Sequence, residues 1–220
     1  MTPTRADTLA FATFALALLA AAPASAQITA TVTTTLTDPT TNLPVATAVP
    51  GQIVRMRTIV SWTPQGTQFA GIAGSFYCNP DNPDGDPGVA SARFSDYASG
   101  GLVTLGVLEN TDDIIGINIA QTPAFFTGGF LVPPSANWMG ITIAGYNWEA
   151  PSTPGLYNFA FQFSPIAPNV RIYPSTSSPQ FVEAPTTVVG ATLLVIPSPS
   201  AALAFVLAPM LIAHRRRSPQ

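Results

Sequence analysis

The sequence predicts an all-β fold, a single antiparallel β-sandwich over residues 27–195. Three observations lead there. Apolar residues recur at every second position in run after run, which is the period of a half-buried strand. Clusters of Pro, Gly, Asn and Asp separate these runs at fairly regular spacing. Between the runs no segment carries an amphipathic helical pattern, so the strand–helix alternation that builds a parallel sheet is missing.

Residues 1–26 precede the sandwich and read as a secretory signal helix. Arg5 supplies the charged start, Leu9 to Ala22 is apolar apart from Thr13, and Ala24-Ser25-Ala26 has the small-x-small form of a cleavage site. Gln27 is then the mature N-terminus.

The first strand is expected at Ile28–Leu36, with Ile28, Ala30, Val32 and Leu36 on one face and threonines on the other. A turn-rich stretch follows, with room for a short edge segment at Leu43–Ala48. Gln52–Trp62 alternates next, placing Val54, Met56, Val60 and Trp62 inward and Arg55 and Arg57 outward. Phe69–Tyr77 is a third strand. Asn79 to Gly88 is too rich in Pro and Gly for regular structure. Val103–Leu108 and Ile114–Ile119 are strands flanking an acidic turn. Gln121–Pro134 is a loop.

Trp138–Trp148 is expected to place Ile141 and Ile143 on one face and Tyr146 and Trp148 on the other. Beyond it, Tyr157, Phe159, Phe161 and Phe163 alternate strictly with Asn158, Ala160, Gln162 and Ser164, marking a central strand. Val170–Tyr173 and Thr186–Val195 complete the set of about nine strands. The Pro154-Gly155-Leu156-Tyr157 entry resembles the tyrosine corner of immunoglobulin-like sandwiches. With the Val49-Pro-Gly-Gln-Ile-Val54 entry, it makes the body similar to bacterial surface Ig-like domains.

Residues 196–220 form a tail with its own pattern. Pro197-Ser198-Pro199 precedes an apolar run, Ala201 to Ala213, and Arg215-Arg216-Arg217 follows. As a helix that run is roughly 20 Å long against about 30 Å of bilayer hydrocarbon, and Pro209 lies within it. The arginines favour a cytoplasmic C-terminus. The three-part layout resembles the PEP-CTERM sorting signal of Gram-negative bacteria, with Ser198 where the usual Pro-Glu-Pro has its acid. That leaves a variant signal or a plain membrane tail. The resemblance implies an exosortase as partner, membrane attachment at least transiently, and a link to exopolysaccharide production.

Composition narrows the function. The chain has eight Arg, no Lys, eleven acids, one Cys and one His. Without the two ends the body keeps four Arg against ten acids, a net charge of −6. Such a body offers no basic patch for nucleic acid. His214 lies in the tail, so the body has no histidine for a Ser-His-Asp triad or a zinc site. Cys78 is alone and reads as a buried free thiol.

Two clusters could still carry chemistry. Asp81, Asn82, Asp84 and Asp86 crowd oxygen ligands as Ca²⁺ requires, although Arg93 stands where the last ligand of an EF-hand loop would fall. The alternative is a solvated acidic turn. Glu109, Asp112 and Asp113 could supply a glycosidase pair but are expected to face solvent in a turn. Phe125, Phe126, Trp138, Tyr146 and Trp148 could stack on sugar rings or fill the core. Together these features predict an exported, non-enzymatic protein of the cell envelope or extracellular matrix. The alternative is a carbohydrate- or protein-binding module at the cell surface.

Overall fold

The computed structural model describes residues 27–84, 102–109, 113–123 and 140–197. Both expected terminal helices lie outside these residues. So do Ala24, Ala26, Asp86, Asp112, Phe125, Phe126, Trp138, and the tail from Ser198 through Pro199 to Arg215, Arg216 and Arg217.

Among the described residues there is no helix, and the strands are β1 (Thr29–Thr37), β2 (Thr47–Ala48), β3 (Ile53–Thr63), β4 (Gln68–Asn79), β5 (Leu102–Leu108), β6 (Ile114–Ala120), β7 (Ile141–Glu149), β8 (Gly155–Phe163), β9 (Val170–Tyr173), β10 (Val182–Ala184), β11 (Thr186–Val189) and β12 (Ala191–Val195). They form two sheets, one of four strands in the order β11-β1-β3-β7 and one of eight. In the larger sheet β4 is the hub. One edge pairs with β6, which in turn pairs with β5. The other edge takes β8 along Gly74–Asn79 and then β9 along Gln68–Gly71. β8 and β9 therefore follow each other along the same edge of β4, with the 164–169 turn between them.

Alternation builds the core as the sequence predicts. Val32, Leu36, Val54, Met56, Val60 and Trp62 come from the smaller sheet, and Phe76, Tyr157, Phe159 and Phe161 from the larger. Phe76 meets Tyr146 edge-on at 5.0 Å between ring centroids, and Trp148 meets Phe159 edge-on at 5.2 Å, the geometry that ring quadrupoles favour. The hydroxyl of Tyr157 donates to the carbonyl of Thr153 at 3.1 Å, closing the corner at the entry to β8.

Three expectations are corrected. The sandwich is not wholly antiparallel, because β1 pairs β11 and β12 pairs β2 in parallel. Thr186–Val195 is two strands rather than one: the chain lies against β9 as β10, crosses to β1 as β11, and at Gly190 returns to the larger sheet against β8 as β12. In β7 the register passes from Thr58↔Ala144 straight to Ile59↔Thr142, leaving Ile143 as an extra residue. A bulge of this kind shifts the phase of alternation, so Ile143, Tyr146 and Trp148 are all buried together.

Candidate functional site

Strands β4, β5, β6, β8 and β12 contain no charged residue at all. Their inward side chains fill the core, so the absence of charge there is expected. Their outward side chains face solvent, where charge costs nothing, and these too are neutral. Register places them in rows: Leu194 beside Leu156, Thr192 beside Asn158, Ala160 beside Tyr77, and Gln162 beside Ser75. Thr192 and Asn158 are joined by a hydrogen bond of 3.0 Å.

Large apolar side chains stand on this face. Leu156 is 54 % exposed and Leu194 42 %, and they are direct cross-strand partners. At the other end Ile166, in the turn between β8 and β9, is 87 % exposed. Next to Ile166 a groove of about 550 Å³ runs between β6, β4 and the end of β8, with Ser75, Tyr77, Asn118 and Gln162 among its lining residues. It follows a slip in pairing: the β4–β6 register jumps between Gly74 and Phe76. The hydroxyl of Ser75 accepts the N–H of Gly116 at 3.3 Å instead.

The acidic loop is a strut. Asn82 donates from Nδ2 to the carbonyl of Glu149 at 3.1 Å and accepts the N–H of Asp84 at 3.0 Å. Asp84 Oδ2 accepts the N–H of Ser152 in a short hydrogen bond. That bond holds the Asp84 carboxyl below its usual range. Of the four Ca²⁺ candidates, Asn82 and Asp84 thus direct oxygens to this chain's own N–H groups. Among the described residues no group of three or more His, Cys, Asp or Glu side chains converges as a metal site would.

Asp113 departs from its expected place. Rather than facing solvent it is 8 % exposed, and its Oδ1 accepts the N–H of Cys78 at 2.9 Å. Burial raises its pKa above the usual carboxylate value; the Cys78 N–H opposes the rise, and the negative charges of Asp81 and Glu109 add to it. Glu109 is exposed. The two are joined through backbone, Glu109 N–H to the carbonyl of Asp113 at 3.0 Å. Cys78 is a buried free thiol, as expected, donating to the carbonyl of Pro80 at 3.3 Å. Tyr146 and Trp148 are core residues, so neither forms a sugar-stacking platform.

The outer face carries no sequence motif. Its signal was available, however: five strands in a row without a charge.

No family model and no curated protein matches the chain. Among solved structures it is similar to a cohesin module from a family 33 glycoside hydrolase of Clostridium perfringens, at 8 % identity and a TM-score of 0.46, covering 76 % of this chain and 98 % of that one. It is also similar to the second type II cohesin module of the ScaA scaffoldin of Acetivibrio cellulolyticus (14 % identity, TM-score 0.44, 79 % and 96 % covered). A third is a non-cellulosomal cohesin from Archaeoglobus fulgidus, at 13 % identity and a TM-score of 0.40, with 81 % and 97 % covered. At these scores the likeness is a loose one.

Proposed function

We propose that this is an exported, non-enzymatic binding module whose partner is a protein seated on the outer face of the larger sheet. One observation carries it. Five strands of that sheet present a solvent-facing surface without a single charge, on a body whose net charge is −6. Depletion of charge at the centre with apolar residues standing proud is the pattern of a protein–protein interface. The face is roughly 20 Å across and 25 Å long by strand spacing and rise. Two of the aromatics that could have stacked on sugar rings, Tyr146 and Trp148, are in the core. The leader 1–26 would deliver the module, and the tail beginning at Pro197-Ser198-Pro199 would sort or hold it at the envelope through an exosortase.

Site-specific photo-crosslinking in cells producing the full chain tests this. A photoreactive residue at Leu156 or Gln162 should yield one discrete protein adduct, and the same residue at Thr31 on the opposite sheet should not. Adducts from both sheets alike, or from neither, would remove the reading. A broad glycan-like smear would replace the protein partner by a carbohydrate.

A further inference from the structure

The outer face of the larger sheet carries a ridge at one end and a groove at the other. Leu156 and Leu194 stand side by side in the ridge. Ile196 lies two residues beyond Leu194, hence on the same side of the chain, and is also exposed. The groove of about 550 Å³ has Gln162 and Ile166 among its lining residues. Leu156 and Gln162 are both outward residues of β8, about 20 Å apart by strand rise.

Between ridge and groove the side chains are small or already paired. Ala160 leaves a low point beside Tyr77. Asn158 accepts from Thr192 at 3.0 Å and donates from Nδ2 to the carbonyl of Asn79 at 3.4 Å. Polar groups paired in this way lose little when another surface covers them. The strands of this face hold no charge. Two copies of a body of net charge −6 can therefore meet over them without like charges facing each other.

We propose that the partner of this face is a second copy of the chain, related by a two-fold axis that crosses the face midway between ridge and groove. The inference rests on the protein-partner reading above and names that partner. Such an axis exchanges the two ends. The ridge of each copy enters the groove of the other, where Phe163, Pro165 and Ile166 offer apolar contact. In a second copy the distance from ridge to groove is necessarily the same, so both contacts form together. The interface is isologous: with both seats filled the pair closes and adds no third copy. A face of roughly 20 by 25 Å covers about 1,000 Å² counted on both copies, the lower bound for a specific interface. The dimer is accordingly weak and reversible.

Paired cysteines in cells producing the full chain test it. Chains with Leu156→Cys and chains with Gln162→Cys, each with its own affinity tag, are produced together and treated with a short bismaleimide. The mixed pair should give an adduct of twice the chain mass. Leu156→Cys alone should give none, because the two-fold holds the two substituted positions about 20 Å apart. The wild-type chain, whose Cys78 is buried, is the blank. In sedimentation velocity of the full-length chain in detergent, monomer and dimer should exchange with concentration. Leu156→Glu, at an exposed position, should weaken dimerisation tenfold or more, and Thr31→Glu on the other sheet less than twofold. No mixed adduct, an adduct from Leu156→Cys alone, or a dimer indifferent to Leu156→Glu would each overturn the proposal. The photo-adduct at Leu156 separates this claim from the one it rests on. Twice the chain mass supports both, another protein's mass overturns the second copy alone, and no adduct removes both.

Discussion

The carboxylate of Asp113 accepts the backbone N–H of Cys78 at 2.9 Å from a site only 8 % exposed. A buried acid with a raised pKa stabilises the fold fully below its unfolded value, and that contribution is lost as pH rises through the folded value. The wild-type protein therefore carries a penalty at neutral pH that is absent in acid. Asp113→Asn keeps an oxygen for the Cys78 N–H and removes the charge. Its melting temperature should exceed that of wild type at pH 7, and the difference should shrink towards zero near pH 3. A difference independent of pH would mean that Asp113 is not the titrating group.

The groove beside Ile166 rests on two glycines that should respond differently to alanine. At Gly74 an added Cβ would lie 2.2 Å from the carbonyl oxygen of Gln162 and 2.5 Å from the Phe161 ring. Both belong to the strand paired with it, so Gly74→Ala should cost about 3 kcal/mol or more by forcing β4 from β8. Gly116 has open space around it and a φ of +80°. Gly116→Ala should therefore cost only about 1 kcal/mol, from the left-handed backbone. Urea unfolding of the two variants checks the order; a reversal would count against the β4–β8 pairing.

Trp148 is fully buried, with its ring 5.4 Å from that of Tyr157 and 5.2 Å from that of Phe159. Trp148→Ala should cost about 3–5 kcal/mol. Any loss of binding in this variant should accompany a loss of near-ultraviolet circular dichroism. A folded Trp148→Ala protein that had lost only sugar binding would contradict its place in the core.

Strands with one face buried were legible from sequence because the period of two is imposed by the core itself. Ala30, Val32, Val54, Met56 and Trp62 lie inward as alternation requires. Where the sheet departs from simple alternation, the signal failed for definable reasons. The bulge at Ile143 inserts one residue and so inverts the phase of everything beyond it. β10 (Val182–Ala184) is only three residues long and lies among prolines, too short to display a period. The exchange of sheets at Gly190 changes partners without breaking the run of β-formers, so Thr186–Val195 looked continuous.

The outer face was harder to see, because it is assembled from distant segments: β4, β5, β6, β8 and β12 come together only in the sheet. Conversely, the acidic loop drew attention by its composition, yet Asn82 and Asp84 use their side chains to tie that loop to Glu149 and Ser152.

The path of residues 182–195 also has a bearing on when the protein can fold. β1, the first strand of the body, receives its outer neighbour β11 from near the far end of it, and β8 receives β12 immediately afterwards. During synthesis the chain emerges from its N-terminal side. For most of that passage the threonine-rich first strand has β3 on one edge and an open backbone edge on the other. Both sheets gain their closing strands in one short final event, within a few residues of Pro197. Neither sheet can therefore be completed until almost the whole of residues 27–195 is available to fold.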